Sequence, residues 1–84
     1  MHTDTLKDIR ELEEILAAKM DRIGALERMV ADIRSRYKDM TDSQLREAIR
    51  DIRGTEQMLA EEKIWCEKAK TRIKAFYAPA TEVA

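Results

Sequence analysis

The side chains that most often carry covalent chemistry are scarce in this sequence, which holds one histidine, His2, and one cysteine, Cys66. A reactive cysteine needs a neighbouring base or positive charge to stabilise its thiolate, and the histidine is far from it in the sequence. Cys66 also falls on an apolar helical stripe, where a free thiol packs as a small hydrophobe. We therefore predict no catalytic residues and no enzymatic activity.

Acidic side chains are abundant, but their spacing is not that of metal ligands. Di-metal sites in four-helix bundles use Glu-x-x-His pairs that point inward, and the sequence contains no such pair. Gly24 and Gly54 stand alone within helical patterns rather than in a phosphate-binding loop. We expect neither a metal site nor a cofactor.

Positive charge is concentrated in the middle of the chain. Residues 34–53 hold six basic and four acidic side chains, whereas residues 1–33 hold five basic and eight acidic ones. The arginines predicted to bind a partner are Arg34, Arg36, Arg46, Arg50 and Arg53. The last three follow helical spacing and could meet phosphates. Interleaved acids weaken the nucleic-acid hypothesis, because some of these arginines are expected to pair locally, as Arg46 with Asp42 one turn before it. A solvated charged face is the default interpretation, and a surface for a protein partner is favoured over nucleic acid.

The composition predicts long helices in a single domain, residues 1–84. Charged residues make up 39% of the chain, with two glycines and one proline, a balance typical of long helices. The net charge of -1 creates no overall field that would attract nucleic acid or an anionic membrane. No apolar run approaches the ~20 residues that span a bilayer, and the first residues do not resemble a secretory signal. We expect a cytoplasmic protein without membrane contact.

Apolar residues in the first half recur at alternating steps of three and four, which indicates coiled-coil packing along one helix stripe. The stripe consists of Ile9, Leu12, Leu16, Ile23, Leu26, Val30, Ile33, Tyr37 and Met40, with Lys19 as an interruption. Thr5 followed by Asp8 resembles a capping box, which begins a helix. We predict a first helix over residues of about 3–39.

A second capping box, Thr41 with Gln44, begins a second apolar stripe. This stripe consists of Leu45, Ala48, Ile49, Ile52, Leu59, Cys66, Ala69, Ile73 and Phe76. Pro79 restricts the residue before it and should end the helix near Tyr77 or Ala78. The pattern predicts a turn at about 40–41, a helix at about 42–77 and a flexible tail at about 78–84. One continuous helix through residue 40 is the alternative, since no glycine or proline interrupts the chain there.

Two helices of similar length joined by a short link form an antiparallel hairpin. With the bend near Met40, residues that face each other have numbers adding up to about 81. Lys19, the charged residue in the first stripe, then faces Glu62 in the second. Either the two side chains pair in the seam and define its register, or both extend to solvent.

Several large apolar residues lie beside the stripes rather than on them. The set predicted to form a dimer or partner interface is Ile15, Met20, Met58, Ile64 and Trp65. Two helices bury only a small core, and an exposed apolar patch is unfavourable in a monomer. We predict an all-α, coiled-coil-like hairpin that forms a homodimer, a four-helix bundle. Docking of a different protein on the same patch is the alternative.

These features together predict a protein that works by binding another macromolecule. We expect a small adaptor, regulator or stoichiometric inhibitor of a larger complex, by analogy of size and composition with proteins that phages and mobile elements encode. A nucleic-acid-binding protein that uses the basic stripe near the bend is the alternative.

Overall fold

A computed structural model describes residues 4–78, which form two long helices packed side by side. Helix α1 spans Leu6–Ser35 and helix α2 spans Asp42–Tyr77. A 3₁₀ helix, Tyr37–Asp39, lies between them. These residues contain no β-strand, and the predicted helical hairpin is confirmed.

Both helices begin at a capping box, as the sequence predicts. In α1, the Thr5 hydroxyl accepts from the Asp8 amide, and the Asp8 carboxylate accepts from the Thr5 amide, both at 3.2 Å. In α2, the Thr41 hydroxyl accepts from the Gln44 amide at 3.2 Å, and Gln44 Oε1 accepts from the Thr41 amide at 3.0 Å. Each box provides acceptors for amides that the first turn leaves without an intrahelical partner.

The end of α1 differs from the prediction, because the helix stops at Ser35 instead of continuing to residue 39. The Ser35 hydroxyl donates to the Asp32 carbonyl oxygen at 2.6 Å. The Arg36 amide donates to the Ile33 carbonyl oxygen at 3.0 Å. Such contacts over three residues tighten the last turn and lead into 3₁₀ geometry. The link between the helices is therefore longer than the two-residue turn that the spacing predicts.

The helices are held together by an apolar seam. Its buried side chains are Ile9, Ile23, Val30, Ile52, Leu59, Cys66 and Ala69. All of them belong to the two predicted stripes, whereas the stripe residue Ile49 lies at the edge of the seam and is 37% exposed. Full burial of a large aliphatic side chain stabilises a fold by ~1.5–3 kcal/mol, so this seam is the main source of the hairpin's stability.

A charged pair marks the register of the seam. Lys19 Nζ lies 2.7 Å from Glu62 Oε2, with 30% and 23% of the two side chains exposed. The predicted facing of Lys19 and Glu62 is confirmed, and of the two alternatives the side chains pair rather than extend to solvent. Their partial exposure reduces the desolvation that a fully buried pair would suffer. Lys19 Nζ also lies 4.9 Å from the centroid of the Trp65 ring, within the range of a cation–π interaction.

Helix α2 ends at Tyr77, as predicted, and Ala78 has the extended conformation expected before a proline, with φ −63° and ψ 140°. His2, Pro79 and the rest of the predicted tail lie outside the described residues. Within residues 4–78, neither helix has a segment that combines the length and hydropathy needed to cross a bilayer.

Candidate functional site

The hairpin has two long flanks, one on each side of the seam. The Lys63 flank consists of Met20, Glu27, Arg34, Glu56, Lys63 and Lys70, and the Trp65 flank consists of Ile15, Arg22, Met29, Met58, Trp65 and Arg72. Within each helix, the members of a flank are seven residues apart. Because two turns of an α-helix contain about 7.2 residues, such residues point in nearly the same direction.

Ion pairs cross the seam on the Lys63 flank. Lys63 Nζ lies 2.6 Å from Glu27 Oε2, and Arg34 Nη2 lies 2.7 Å from Glu56 Oε2. The hydrogen bond to Glu56 raises the pKa of Arg34 above its ordinary value. A surface groove of about 590 Å³ runs between these pairs, and Val30 is among its lining residues. All four charged side chains are about half exposed, so the pairs add little stability but cover this side of the seam with charge.

On the Trp65 flank, the buried residues of the seam are covered by apolar atoms. The Trp65 ring packs against the buried cluster of Ile23, Leu59 and Cys66. It also lines a shallow groove of about 170 Å³ together with Leu12, Lys68, Ala69 and Arg72. Trp65 is itself half-buried, so one part of the ring contacts the core while the rest faces solvent.

The remaining side chains of the Trp65 flank combine three apolar residues with two arginines, and Met58 among them is half-buried. Ile15 and Met29 are 48% and 45% exposed. Arg22 Nη2 lies 3.8 Å from the sulfur of Met58, which is a weak acceptor. At the same height along the rod, the Lys63 flank has the ion pair of Glu27 with Lys63. The Trp65 flank has instead a guanidinium group beside a thioether.

An ion pair closes the end of the Trp65 flank farthest from the bend. The Arg72 guanidinium donates to both carboxylate oxygens of Asp4, with Arg72 Nε 2.9 Å from Asp4 Oδ2. The hydrogen bond to Asp4 raises the pKa of Arg72, and the nearby charge of Asp8 acts in the same direction. These contacts join the residue before the N-cap of α1 to the last turns of α2.

The five residues predicted to form one apolar interface lie on different sides of the hairpin. Ile15, Met58 and Trp65 lie on the Trp65 flank. Met20 follows Ile15 by five residues, a rotation of about 140°, and it lines a groove of the Lys63 flank. Ile64 is 57% exposed and lies on the outer side of α2. The prediction grouped these residues by their level along the rod and overlooked their angle around each helix.

Arg34 and Arg36, two of the arginines predicted to bind a partner, already have acidic partners in the hairpin. Arg34 is paired with Glu56, as described above, and Arg36 Nη2 lies 2.7 Å from Asp32 Oδ2 in the preceding turn. Both arginines remain about half exposed or more. A partner would therefore have to compete with these local carboxylates.

The other three arginines, Arg46, Arg50 and Arg53, form an exposed stripe on α2 near the bend. Within residues 4–78 none of them makes an ion pair within 4.0 Å, so the expected pair of Arg46 with Asp42 is not formed. Asp42 is the first residue of α2, where a carboxylate interacts favourably with the positive end of the helix dipole. The three guanidinium groups therefore face solvent as a basic surface.

Among the described residues, no three His, Cys, Asp or Glu side chains come together as metal ligands would. Cys66 is 3% exposed and lies in the seam. Met29, which was not in the predicted interface, has the same seven-residue spacing as Ile15 and Arg22, so the sequence did contain a signal for it. Comparisons with protein-family models, curated proteins and solved structures found no match.

Proposed function

We propose that this hairpin is a non-enzymatic protein–protein interaction module that acts as a small adaptor, regulator or stoichiometric inhibitor of a larger complex. The observation that carries this proposal is that large apolar side chains stay exposed outside the seam. Ile15, Met20, Met29 and Ile64 are each between 45% and 57% exposed. Where such side chains lie next to each other, as Ile15 and Met29 do beside Trp65 and Met58, the apolar patch is typical of an interaction site.

The proposal assigns two surfaces to two kinds of contact. A part of these exposed apolar residues, lying on one face, serves self-association into a homodimer, a four-helix bundle of two hairpins. The basic stripe of Arg46, Arg50 and Arg53 serves an acidic surface on a protein partner, since three guanidinium groups one turn apart match clustered carboxylates. These functions are separable, because the stripe lies on α2 near the bend and the Trp65 flank is most apolar away from it.

Affinity capture with a matched pair of variants tests the proposal. Arg46→Glu, Arg50→Glu and Arg53→Glu together reverse the charge of the stripe, and Lys7→Glu, Arg10→Glu and Arg28→Glu make the same change in charge elsewhere. We expect the wild type and the control variant to retain one stoichiometric protein partner and the stripe variant to lose it. Equal capture by all three proteins would contradict the assignment of the stripe.

Nucleic-acid binding is a second candidate, supported by the same three arginines, which have no carboxylate within ion-pair distance in the described part of the chain. If they neutralise three phosphates, affinity should fall roughly 40-fold between about 50 and 200 mM salt, because the logarithmic slope is ~0.9 per phosphate. Fluorescence anisotropy with a labelled duplex measures this slope. The absence of binding at about 50 mM salt would exclude this candidate.

A further inference from the structure

We infer that the Trp65 flank is the docking surface for a second copy of this chain, and that the two hairpins lie side by side with their bends at the same end. In this arrangement the two-fold axis runs along the rod, and α1 of each copy packs against α2 of the other. The inference rests on the proposed dimer and adds to it which face is used and how the copies are oriented.

The first argument is the difference between the flanks at equal levels. On the Lys63 flank, Glu27 binds Lys63 at 2.6 Å and Arg34 binds Glu56 at 2.7 Å. A second copy placed there would desolvate four charged groups that are already paired, which costs free energy. On the Trp65 flank, it would cover the exposed parts of Ile15 and Met29, which are 48% and 45% exposed, and gain hydrophobic stabilisation.

The second argument is the size of the side chains between the flank residues. Ala18 and Ala25 lie at steps of three and four from Ile15, Arg22 and Met29, and both are exposed. On α2, a Cβ added to Gly54 would meet no atom within 4 Å. Small residues at such positions let the backbones of neighbouring helices come close together, which improves packing.

The third argument is charge complementarity, which favours bends at the same end. With the two-fold axis along the rod, Asp8 and Glu11 of one copy lie level with Arg72 and Lys68 of the other, and Ile15 lies level with Trp65. The ion pair between Arg72 and Asp4 would then extend to the second copy's Asp8. Acids and bases therefore alternate around the end of the bundle, where opposite charges guide association.

The reversed arrangement lacks this match. If the bends lay at opposite ends and the axis crossed the apolar segment midway between Ile15 and Met29, Arg22 would face Arg22 of the other copy. Trp65 would face Asp51 of the other copy. A like-charge contact and a carboxylate against an aromatic face are both unfavourable in an interface.

The available area is that of a modest but specific interface. Between the levels of Asp8 and Met29 the flank is about 32 Å long, and two helices side by side are about 20 Å wide. Each copy would therefore bury about 600 Å², or about 1,200 Å² in total, at the lower end of the range for stable complexes. Closer to the bend, Asp32 of one copy would lie level with Glu47 of the other. Because like charges oppose each other there, the contact between the copies is expected to end at this level.

Light scattering during gel filtration tests which face forms the dimer. The variants that it compares replace exposed alanines on one flank or the other by glutamate. Ala18→Glu with Ala25→Glu places two carboxylates on the Trp65 flank, and Ala17→Glu with Ala31→Glu places them on the Lys63 flank. All four positions are exposed, and circular dichroism checks that both variants stay helical. We expect the wild type and the control to have twice the chain mass of 9.8 kDa and the Trp65-flank variant to have the chain mass itself.

The outcomes separate failure of the inference from failure of the proposed dimer. A wild type that stays monomeric at a concentration of about 200 µM, where an interface of this size should associate, overturns both. A dimer that survives the Trp65-flank change, or that dissociates only in the control, overturns the choice of face alone. Growth into larger assemblies would indicate contact between unlike flanks and would also overturn it.

Orientation is tested with one encoded spin label per chain at Ser43, close to the bend, which avoids the thiol of Cys66. With bends together, the two labels should lie within about 35 Å across the bundle. With bends at opposite ends and the axis at the level of Arg22, they should be about 45 Å apart along the rod and about 50 Å apart in all, given a rise of ~1.5 Å per residue. A double electron–electron resonance distance near the larger value would overturn the proposed orientation.

Discussion

The two flanks of this hairpin border the same seam, but they are closed by different chemistry. Glu27 with Lys63 and Arg34 with Glu56 cross the Lys63 flank as ion pairs. On the Trp65 flank the aromatic ring packs directly on the buried cluster. Exposed ion pairs are already satisfied by water and by each other, whereas exposed apolar atoms gain when they are covered. The difference indicates which side of a two-helix protein is available for a partner.

Among the changes that test this comparison, replacement of Trp65 by alanine should cause the largest loss of stability. The ring covers the core cluster and, in the proposed dimer, also meets the second copy, so we expect a loss of about 3 kcal/mol in the free energy of unfolding. This corresponds to a fall in Tm of roughly 12–24 °C for a domain of this size. Thermal melts followed by circular dichroism measure it.

The neighbouring Ile64→Ala is the matched control, because Ile64 is 57% exposed and lies on neither flank. We expect its change in stability to stay within about 0.5 kcal/mol. Similar losses for the two variants would mean that Trp65 contributes only through helix propensity or general hydrophobicity, and the contrast between the surfaces would be lost.

Removal of one member of the Lys19 and Glu62 pair should have the next largest effect. Glu62→Ala leaves the Lys19 ammonium beside the Trp65 ring without its carboxylate, and we expect a cost of about 1 kcal/mol. Replacing both residues by methionine should restore most of the loss, since a pair in a seam is often no better than apolar side chains.

A double-mutant cycle from urea unfolding gives the coupling free energy of this pair. A coupling free energy near zero would show that the 2.7 Å contact contributes nothing to register or stability. In that case the agreement of the pair with the seam's register would be incidental.

Two methionines of nearly equal exposure provide a sharper comparison between the flanks. Met29 is 45% exposed on the Trp65 flank, and Met20 is 47% exposed on the Lys63 flank. We expect Met29→Ala to weaken dimerisation by about 1 kcal/mol, or roughly fivefold in the dissociation constant, because it removes interfacial apolar area. Met20→Ala should leave the dimer unchanged. Sedimentation equilibrium measures both constants, and equal weakening would argue against a flank-specific interface.

The smallest loss of stability is expected when an ion pair of the Lys63 flank is broken. Glu27→Gln removes one charge from a pair whose side chains are 54% and 48% exposed, so we expect a loss of no more than about 0.5 kcal/mol. The loss should disappear in about 1 M salt, where screening is strong. A larger, salt-insensitive loss would show that the flank contributes more than a solvated charge cover.

Much of the hairpin could be predicted from local patterns. Thr41 and Gln44 fall where the chain reverses, and their capping box accurately predicted the start of α2. The position of the bend predicted the register, which places Lys19 opposite Glu62, where two charges in apolar stripes are least unfavourable. The end of α1 could not be predicted in the same way, since the Ser35 hydroxyl bonds to a backbone carbonyl, a contact that competes with helix continuation.

The candidate interface was only partly predictable for a different reason. Sequence spacing specifies the angle of a side chain around its own helix, and it placed Ile15, Met58 and Trp65 near the seam. The same angles separate Met20 from Ile15 and Ile64 from Trp65, and the prediction overlooked them. It took the packed pair to show that Met20 lies across from Lys63 and Lys70.

The amino-acid sequence by itself determined the two helices, their antiparallel pairing and the residues of the seam, because periodicity and capping act within one helix or between facing stripes. The tertiary structure alone decided which exposed residues share a surface and which arginines remain available to a partner. The physical reason is that each such surface combines residues from two helices. Its composition depends on how these helices are rotated against each other and on which side-chain contacts form across the seam.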